Sequence, residues 1–391
     1  PVKVSEFKSI DALRKYLIST FKDFRREKQL GMVTDFDRRH FDSLTEFVRL
    51  GSGSLGGKGR GLAFVNTLLK RYDVYHAFEG VNIAVPPSAI LGTDIYDEFV
   101  ERNNLLEIGL AERTDEEIVM AFKKAEHPRG VMRDLRAYLN YVDYPVAVRS
   151  SSLLEDSHYQ PFAGIFETHM LPNRFGTLQG RLVRLATAIK LIYASIFYRN
   201  SKNYIEATGN RVEEEKMAVV IQKAVGRERN GYFYPVLSGI ARSYNFYSIG
   251  NIKPEEGIAY VALGLGKTVV EGENCLYFSP TNSQALPQFS SSRDYLKNSQ
   301  KDFFAIDMTN PGVFPMPGGE SGMARISIQV AEEDGSLAFV GSTYSPENDR
   351  IYSGVGRKGV KIVTFDPILK SRLFPLDDII HFLLNMASRA M

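Results

Sequence analysis

The hydrophobic positions follow two regimes along the chain, and the change falls near Asn210. Before it, helical spacing dominates. Leu13, Tyr16, Leu17, Phe21 and Phe24 form one stripe flanked by Arg14, Lys15, Lys22 and Arg25, which predicts an amphipathic helix over residues 10–28. Residues 29–50 are mostly polar, with Phe36, Phe41, Leu44, Phe47 and Val48 as packing contacts. A helix is predicted from Gly61 to Tyr72, with Leu62, Val65, Leu68 and Leu69 inward. Ile83 to Pro87 reads as a short strand ended by prolines, and Thr93 as the N-cap of a helix from Asp94 to Val100. Two more helices are expected within 114–141, broken near His127-Pro128-Arg129-Gly130. The longest is expected over 176–200, where Leu178, Leu182, Leu185, Ile189, Ile192 and Ile196 define one buried side.

After Asn210 the apolar runs shorten and become β-type, separated by glycine turns: Met217 to Gln222, Tyr232 to Leu237, Gly257 to Ala262 and Lys267 to Val270. Residues 281–300 read as a polar surface loop. Asn310 to Gly322, with three prolines and four glycines, reads as a flexible one. Strands are expected at Leu337–Val340 and Val360–Thr364, and a last helix from Asp377. The sum is an α/β (α+β) protein with a helix-rich first half and a sheet-rich second half. Three parts are expected: an N-terminal helical extension over 1–50, a first lobe over 51–212 and a second lobe over 213–391.

Composition changes this picture little. The chain is 44% apolar and 24% charged, with a formal charge of +2. A balance so close argues against a nucleic-acid partner, and no run approaches the length of a membrane span. The one cysteine, Cys275, excludes an internal disulfide, so a reduced, cytoplasmic setting is expected. The first residue is Pro1 rather than Met, and the last ones lie in a helix-like stretch; a piece of a longer polypeptide is expected.

Two loops carry candidate chemistry. Gly56-Gly57-Lys58-Gly59-Arg60-Gly61 joins glycines to cations at the start of a helix, and lacks the spacing of a Walker P-loop. Val146-Ala147-Val148 delivers Arg149-Ser150-Ser151-Ser152 into a polar stretch with Glu155-Asp156, and Phe162-Ala163-Gly164-Ile165-Phe166-Glu167-Thr168 returns. Each has an ordinary reading: a turn with a solvated lysine, or an arginine paired with Glu155 or Asp156. Together they read as two jaws on a polyphosphate, which N–H groups, hydroxyls and fixed cations suit. Gln222-Lys223 ends an apolar strand and is either an ordinary edge or a purine contact. Glu167 and Glu271 are either metal contacts or lone carboxylates facing solvent. The six histidines lack metal-ligand spacing, so no zinc is assigned.

In order and spacing these segments resemble the N-terminal ATP-binding domain of the phosphoenolpyruvate synthase and pyruvate phosphate dikinase family. Gly56 to Gly59, Val85-Pro86-Pro87 with Thr93 and Tyr96 to Phe99, Val148 to Ser151, Phe162 to Thr168, Val219 to Gln222, Ser238-Gly239, Gly264-Leu265-Gly266 and Val269 to Gly272 carry the likeness. It implies an ATP-grasp-like fold whose two lobes hold a nucleotide in the cleft between them. By that resemblance Lys58 and Arg149 are the catalytic pair gripping the phosphates. Gly57, Gly59, Ser150, Gly164 and Thr168 line the phosphate side, and Gln222 and Lys223 the adenine side. ATP and Mg²⁺ would phosphorylate a histidine on a swivelling domain of the same parent chain, releasing AMP, and a pyruvate-binding domain would then yield phosphoenolpyruvate. Lys267 stands where the family has a glutamate, and Ser152-Leu153-Leu154 where it has small residues. Nothing after Gly341 matches the family's late Glu and Gln-x-Arg, so the metal-binding carboxylate is expected beyond Met391 and the fragment is expected to be inactive alone. Two alternatives remain: a non-catalytic nucleotide-sensing module, and a dikinase whose acceptor is phosphate, a glucan or an antibiotic.

Overall fold

The computed structural model describes the chain apart from residues 1–6, 8, 18, 19, 21–32, 42–44, 153–163, 175, 248–252, 285, 287, 290, 311, 313, 319–321 and 391. It divides into two compact units, Pro1–Ala224 with Pro311–Gly322, and Val225–Asn310 with Met323–Met391.

In the first unit, residues 10–17 form helix α1, on which Tyr16 and Leu17 are exposed; Phe21 and Phe24 lie outside the described residues. Strands β1 (Thr34–Asp35) and β2 (Phe47–Leu50) follow, then α2 (Gly56–Arg71), β3 (Ser88–Leu91), α3 (Thr93–Arg102), α4 (Leu105–Leu110), α5 (Asp115–Lys124) and α6 (Arg129–Leu139). Next come β4 (Val146–Ser152), β5 (Thr168–Leu171), α7 (Leu178–Ala194), α8 (Arg199–Ala207) and β6 (Met217–Lys223). The strands form one six-stranded sheet in the order β1-β2-β3-β6-β4-β5. The first two pairings are parallel and the other three antiparallel. β6 lies between β3 and β4, so the unit runs on to Ala224, past the change of pattern near Asn210.

Alternation along the strands gives this sheet two different faces. On the back, Ala89, Leu91, Val146, Val148, Leu171, Met217, Val219 and Ile221 join the side chains of α3, α5, α6 and α7 in one large core. His127 is buried there beside Phe99, and its Nε2–H donates to the Ala186 carbonyl at 3.0 Å. Burial is the main influence on its imidazole and lowers its pKa to about 4, against the pull of that carbonyl. The expected single helix over 176–200 is interrupted: α7 ends in a 3-10 turn, Tyr198 is extended, and the Arg199 N–H opens α8 by donating to Asp115 at 2.9 Å.

The front face is covered by α2, which packs Leu55, Leu62 and Ala63 against Phe47, Ile90, Ala218 and Val220. This helix starts five residues before the expected one, and Val65 is exposed rather than inward. Its buried residues are Gly56, Gly57, Gly59, Asn66 and Leu69, a stripe mostly too small to register as hydrophobic. The strand expected at Ile83–Pro87 begins only at Ser88, because the prolines have no N–H for a ladder; the Ser88 N–H is the first to donate, to Glu46 at 2.7 Å. The excursion Pro311–Gly322 belongs to this unit as well: the Gly318 N–H donates to Glu167 at 2.8 Å.

The second unit is built from β7 (Arg227–Arg229), β8 (Tyr232–Tyr234), β9 (Ser238–Arg242), β10 (Ile258–Ala262), α9 (Lys267–Val270), β11 (Leu276–Phe278), α10 (Ser292–Asn298), β12 (Asp302–Asp307), β13 (Met323–Ser327) and α11 (Ile328–Glu333). It ends with β14 (Gly341–Ser345), β15 (Arg350–Ser353), β16 (Val360–Val363), α12 (Asp366–Leu369) and α13 (Leu376–Ala390). Its antiparallel sheets have the orders β11-β10-β9, β13-β12-β8-β7 and β15-β14-β16. Three sequence expectations fail here. Lys267–Val270 is a helical turn, Leu337–Val340 lies mostly in a 3-10 turn ahead of β14, and the stretch read as a loop contains α10. Short β-branched runs carry no period long enough to separate strand from helix.

Candidate functional site

The site residues gather where β4 meets the first turn of α2. Register puts Thr168 opposite Arg149 and Gln222 opposite both Ala147 and Ser88, so Arg149, Thr168, Gln222 and Ser88 share the front face. Gly56, in the left-handed region at φ +67°, lets the chain pass so close to β4 that a Cβ would fall 1.8 Å from the Ser151 carbonyl oxygen. The Ser151 hydroxyl locks the contact: it donates to the Leu55 carbonyl at 2.8 Å and accepts the Gly59 N–H at 2.9 Å.

Lys58 then reaches the neighbouring residue. Its ammonium donates to both the carbonyl and the hydroxyl of Ser150, each at 3.2 Å. The two loops are therefore neighbours on one wall of the first unit, not the opposed jaws suggested by the sequence. Arg149 is half-buried, and its Nη1 donates to the Gln222 amide oxygen at 3.4 Å. The other end of that amide donates to Ser88 Oγ at 3.2 Å, and the Ser88 hydroxyl to the Pro86 carbonyl at 2.8 Å. Both ends of the buried Gln222 amide thus meet protein groups. Ser150, Ser151 and Ser152 are fully buried. Gly57 is also buried, while Gly164 is exposed in a turn at φ +79° and Lys223 places its ammonium 4.8 Å from the Tyr144 ring centre. Glu155, Asp156, Phe162 and Ala163 lie outside the described residues.

Sequence reasoning missed Ser88, and it misread the start of α3. Gly92, not Thr93, occupies the N-cap position. Thr93 Oγ1 instead accepts the Ser54 N–H at 3.0 Å, and Asp94 accepts the N–H groups of Ser52 and Gly53, both at 2.8 Å. Burial works to raise the Asp94 carboxyl, but these donors outweigh it and hold its pKa below the usual carboxylate value. The only local signal was the Thr-Asp pair itself, which reads as helix capping; the partners lie some forty positions upstream.

Among the described residues, neither lone carboxylate belongs to a cluster that could hold a metal ion. Glu167 lies 2.8 Å from buried His169, and Glu271 pairs with Lys267 at 3.3 Å. No group of three or more His, Cys, Asp or Glu among the described residues could hold a metal ion. Nor, among them, is any helix long and apolar enough to cross a membrane. What the site offers is a fixed guanidinium, a lysine, hydroxyls and the N-terminal turn of a sixteen-residue helix, all suited to phosphate oxygens.

The family model described as "Pyruvate phosphate dikinase, AMP/ATP-binding domain" matches residues 52–284, more than half of the chain. No curated protein matches it. The matched stretch contains Lys58, Arg149, Thr168 and Gln222, and its mixed α/β architecture fits an ATP-grasp-like domain. The chain belongs to the pyruvate phosphate dikinase AMP/ATP-binding family, whose members are nucleotide-binding domains of kinase-like phosphotransferases.

Proposed function

We propose that this chain is the nucleotide-binding part of a phosphoenolpyruvate-synthase-like dikinase, and that Lys58 and Arg149 hold the triphosphate of ATP. One observation carries the assignment of the site: the Lys58 ammonium rests on Ser150, the residue next to Arg149, beside the first turn of α2. Two permanent positive centres beside helix N–H groups match a polyphosphate better than a neutral or cationic ligand. Phosphoryl transfer asks a protein chiefly for positioning and charge neutralisation, which these residues supply. Gly57, Gly59, Ser150, Gly164 and Thr168 would border the phosphates, and Gln222 and Lys223 the base.

The nucleotide would arrive as its Mg²⁺ complex. The described residues form no cluster of three or more His, Cys, Asp or Glu for that ion. The phosphoryl group would pass to a histidine on a swivelling domain of the parent chain, and from there to pyruvate on a pyruvate-binding domain; the setting would be cytoplasmic. Titration calorimetry with Mg-ATP tests the core of this. Saturable heat is expected from the chain, with affinity about a hundredfold weaker for Arg149→Ala; a chain that gives no heat with Mg-ATP loses the assignment.

A further inference from the structure

The segment leading into the glycine-rich helix is held by a residue that no part of the phosphate reading uses. Gly51 to Ser54 wraps the first turn of α3. The Asp94 carboxylate accepts the Ser52 N–H and hydroxyl through one oxygen, at 2.8 and 3.1 Å, and the Gly53 N–H through the other, at 2.8 Å. Thr93 takes the next amide, that of Ser54, and the Ser54 hydroxyl accepts the Gly56 N–H at 3.2 Å. An unbroken series of hydrogen bonds therefore runs from Asp94 and Thr93 to the residue that opens α2, two positions before Lys58. The fit is close. A Cβ on Gly53 would lie 2.5 Å from the Asp94 amide nitrogen and 2.7 Å from its carboxylate, and one on Gly51 or Gly92 would meet the same oxygens at 2.7 and 2.5 Å. Three glycines leave just enough room for this carboxylate, and the donors around it satisfy a negative charge.

We propose that Asp94 is a positioning residue for the phosphate grip: it fixes the 51–54 loop, and through it the first turn of α2 and Lys58, in the form that receives the triphosphate. The proposal rests on the phosphate-binding reading above. Asp94 does not touch the nucleotide; its contribution is a loop ordered before the ligand arrives.

Asp94→Asn and Gly53→Ala test it, each alone and together, with Mg-ATP and adenosine as separate probes. A neutral amide can accept only one of the two N–H groups well, and a methyl at position 53 displaces the carboxylate. Each variant is expected to weaken Mg-ATP binding about tenfold, the scale of a hydrogen bond to a charged group, with adenosine binding unchanged. The double variant should be no weaker than either single one, because both act through one loop. Equal losses for both probes, additive losses, or unchanged Mg-ATP binding each overturn the proposal. Amide hydrogen exchange at Ser52 and Gly53 separates its failure from that of the nucleotide reading. Protection lost in Asp94→Asn supports the loop-fixing role even in a chain that binds no nucleotide, and protection retained overturns it.

Discussion

The two faces of the six-stranded sheet are made by the same strands and do opposite work. Behind it, Val148, Ile221 and Leu91 are wholly buried under the helices. In front, beside the apolar patch of Ile90, Ala218 and Val220 under α2, the alternate residues are Arg149, Gln222, Ser88 and Thr168, and directional bonds link Arg149 to Gln222 and Gln222 to Ser88. The difference teaches that β4 and β6 are interior strands by sequence pattern, while the front-face residues beyond the patch under α2, Arg149 and Gln222, remain available for chemistry. Apolar pressure from behind fixes where the polar residues point, and a strand held on both sides by neighbours is a rigid mount for an arginine.

The strongest way to break this comparison is Val148→Asp. It buries an unpaired charge and is expected to cost about 4 kcal/mol or more, enough to prevent folding. A denaturant midpoint left where it was would show that the back face is not the core. Acid comes next. His127 folds as a neutral ring with its pKa lowered from 6.5 to about 4, so its contribution is complete above pH 6.5. It is lost as pH falls from there toward 4, when the unfolded chain takes up the proton first; the loss approaches about 3 kcal/mol. Thermal midpoints of His127→Leu should fall less steeply over that window than those of the native chain, and parallel curves would refute the assignment.

On the front face the same experiments should separate stability from binding. Arg149→Ala should weaken Mg-ATP about a hundredfold while changing unfolding by under about 1 kcal/mol. A large stability loss instead would make Arg149 structural. The smallest effect is expected from Gln222→Ala, about fivefold in Mg-ATP affinity, since it removes a neutral partner of the arginine. If adenosine binding fell equally, Gln222 would be meeting the base, as the family resemblance implies, rather than steadying Arg149.

The back face was legible in the sequence and the front only in part. Runs such as Met217 to Gln222 and the stripe from Leu178 to Ile192 announce their strand and helix, because burial selects apolar residues at the right period. Arg149 and Lys58 stood out as charges beside glycines and serines. The start of α2 did not, because it is glycines that it buries against Ser151. Ser88 and Asp94 stayed hidden for another reason. Their partners lie 134 and some forty residues away, and a single serine or aspartate carries no mark of a distant bond. The resemblance to a family supplied order where periodicity could not, but not the network through which Gln222 meets Arg149.

The excursion Pro311–Gly322 has a practical corollary. The peptide crosses from one unit to the other three times, after Ala224, after Asn310 and after Gly322. Neither half can be excised as one uninterrupted stretch of gene. A fragment of residues 225–391 would carry a borrowed piece of its neighbour, including the glycine whose amide caps Glu167. Split at Ala224, the second polypeptide would hold a piece that the first unit's fold uses, while the first would hold nothing of the second, so the dependence between separately expressed pieces runs one way.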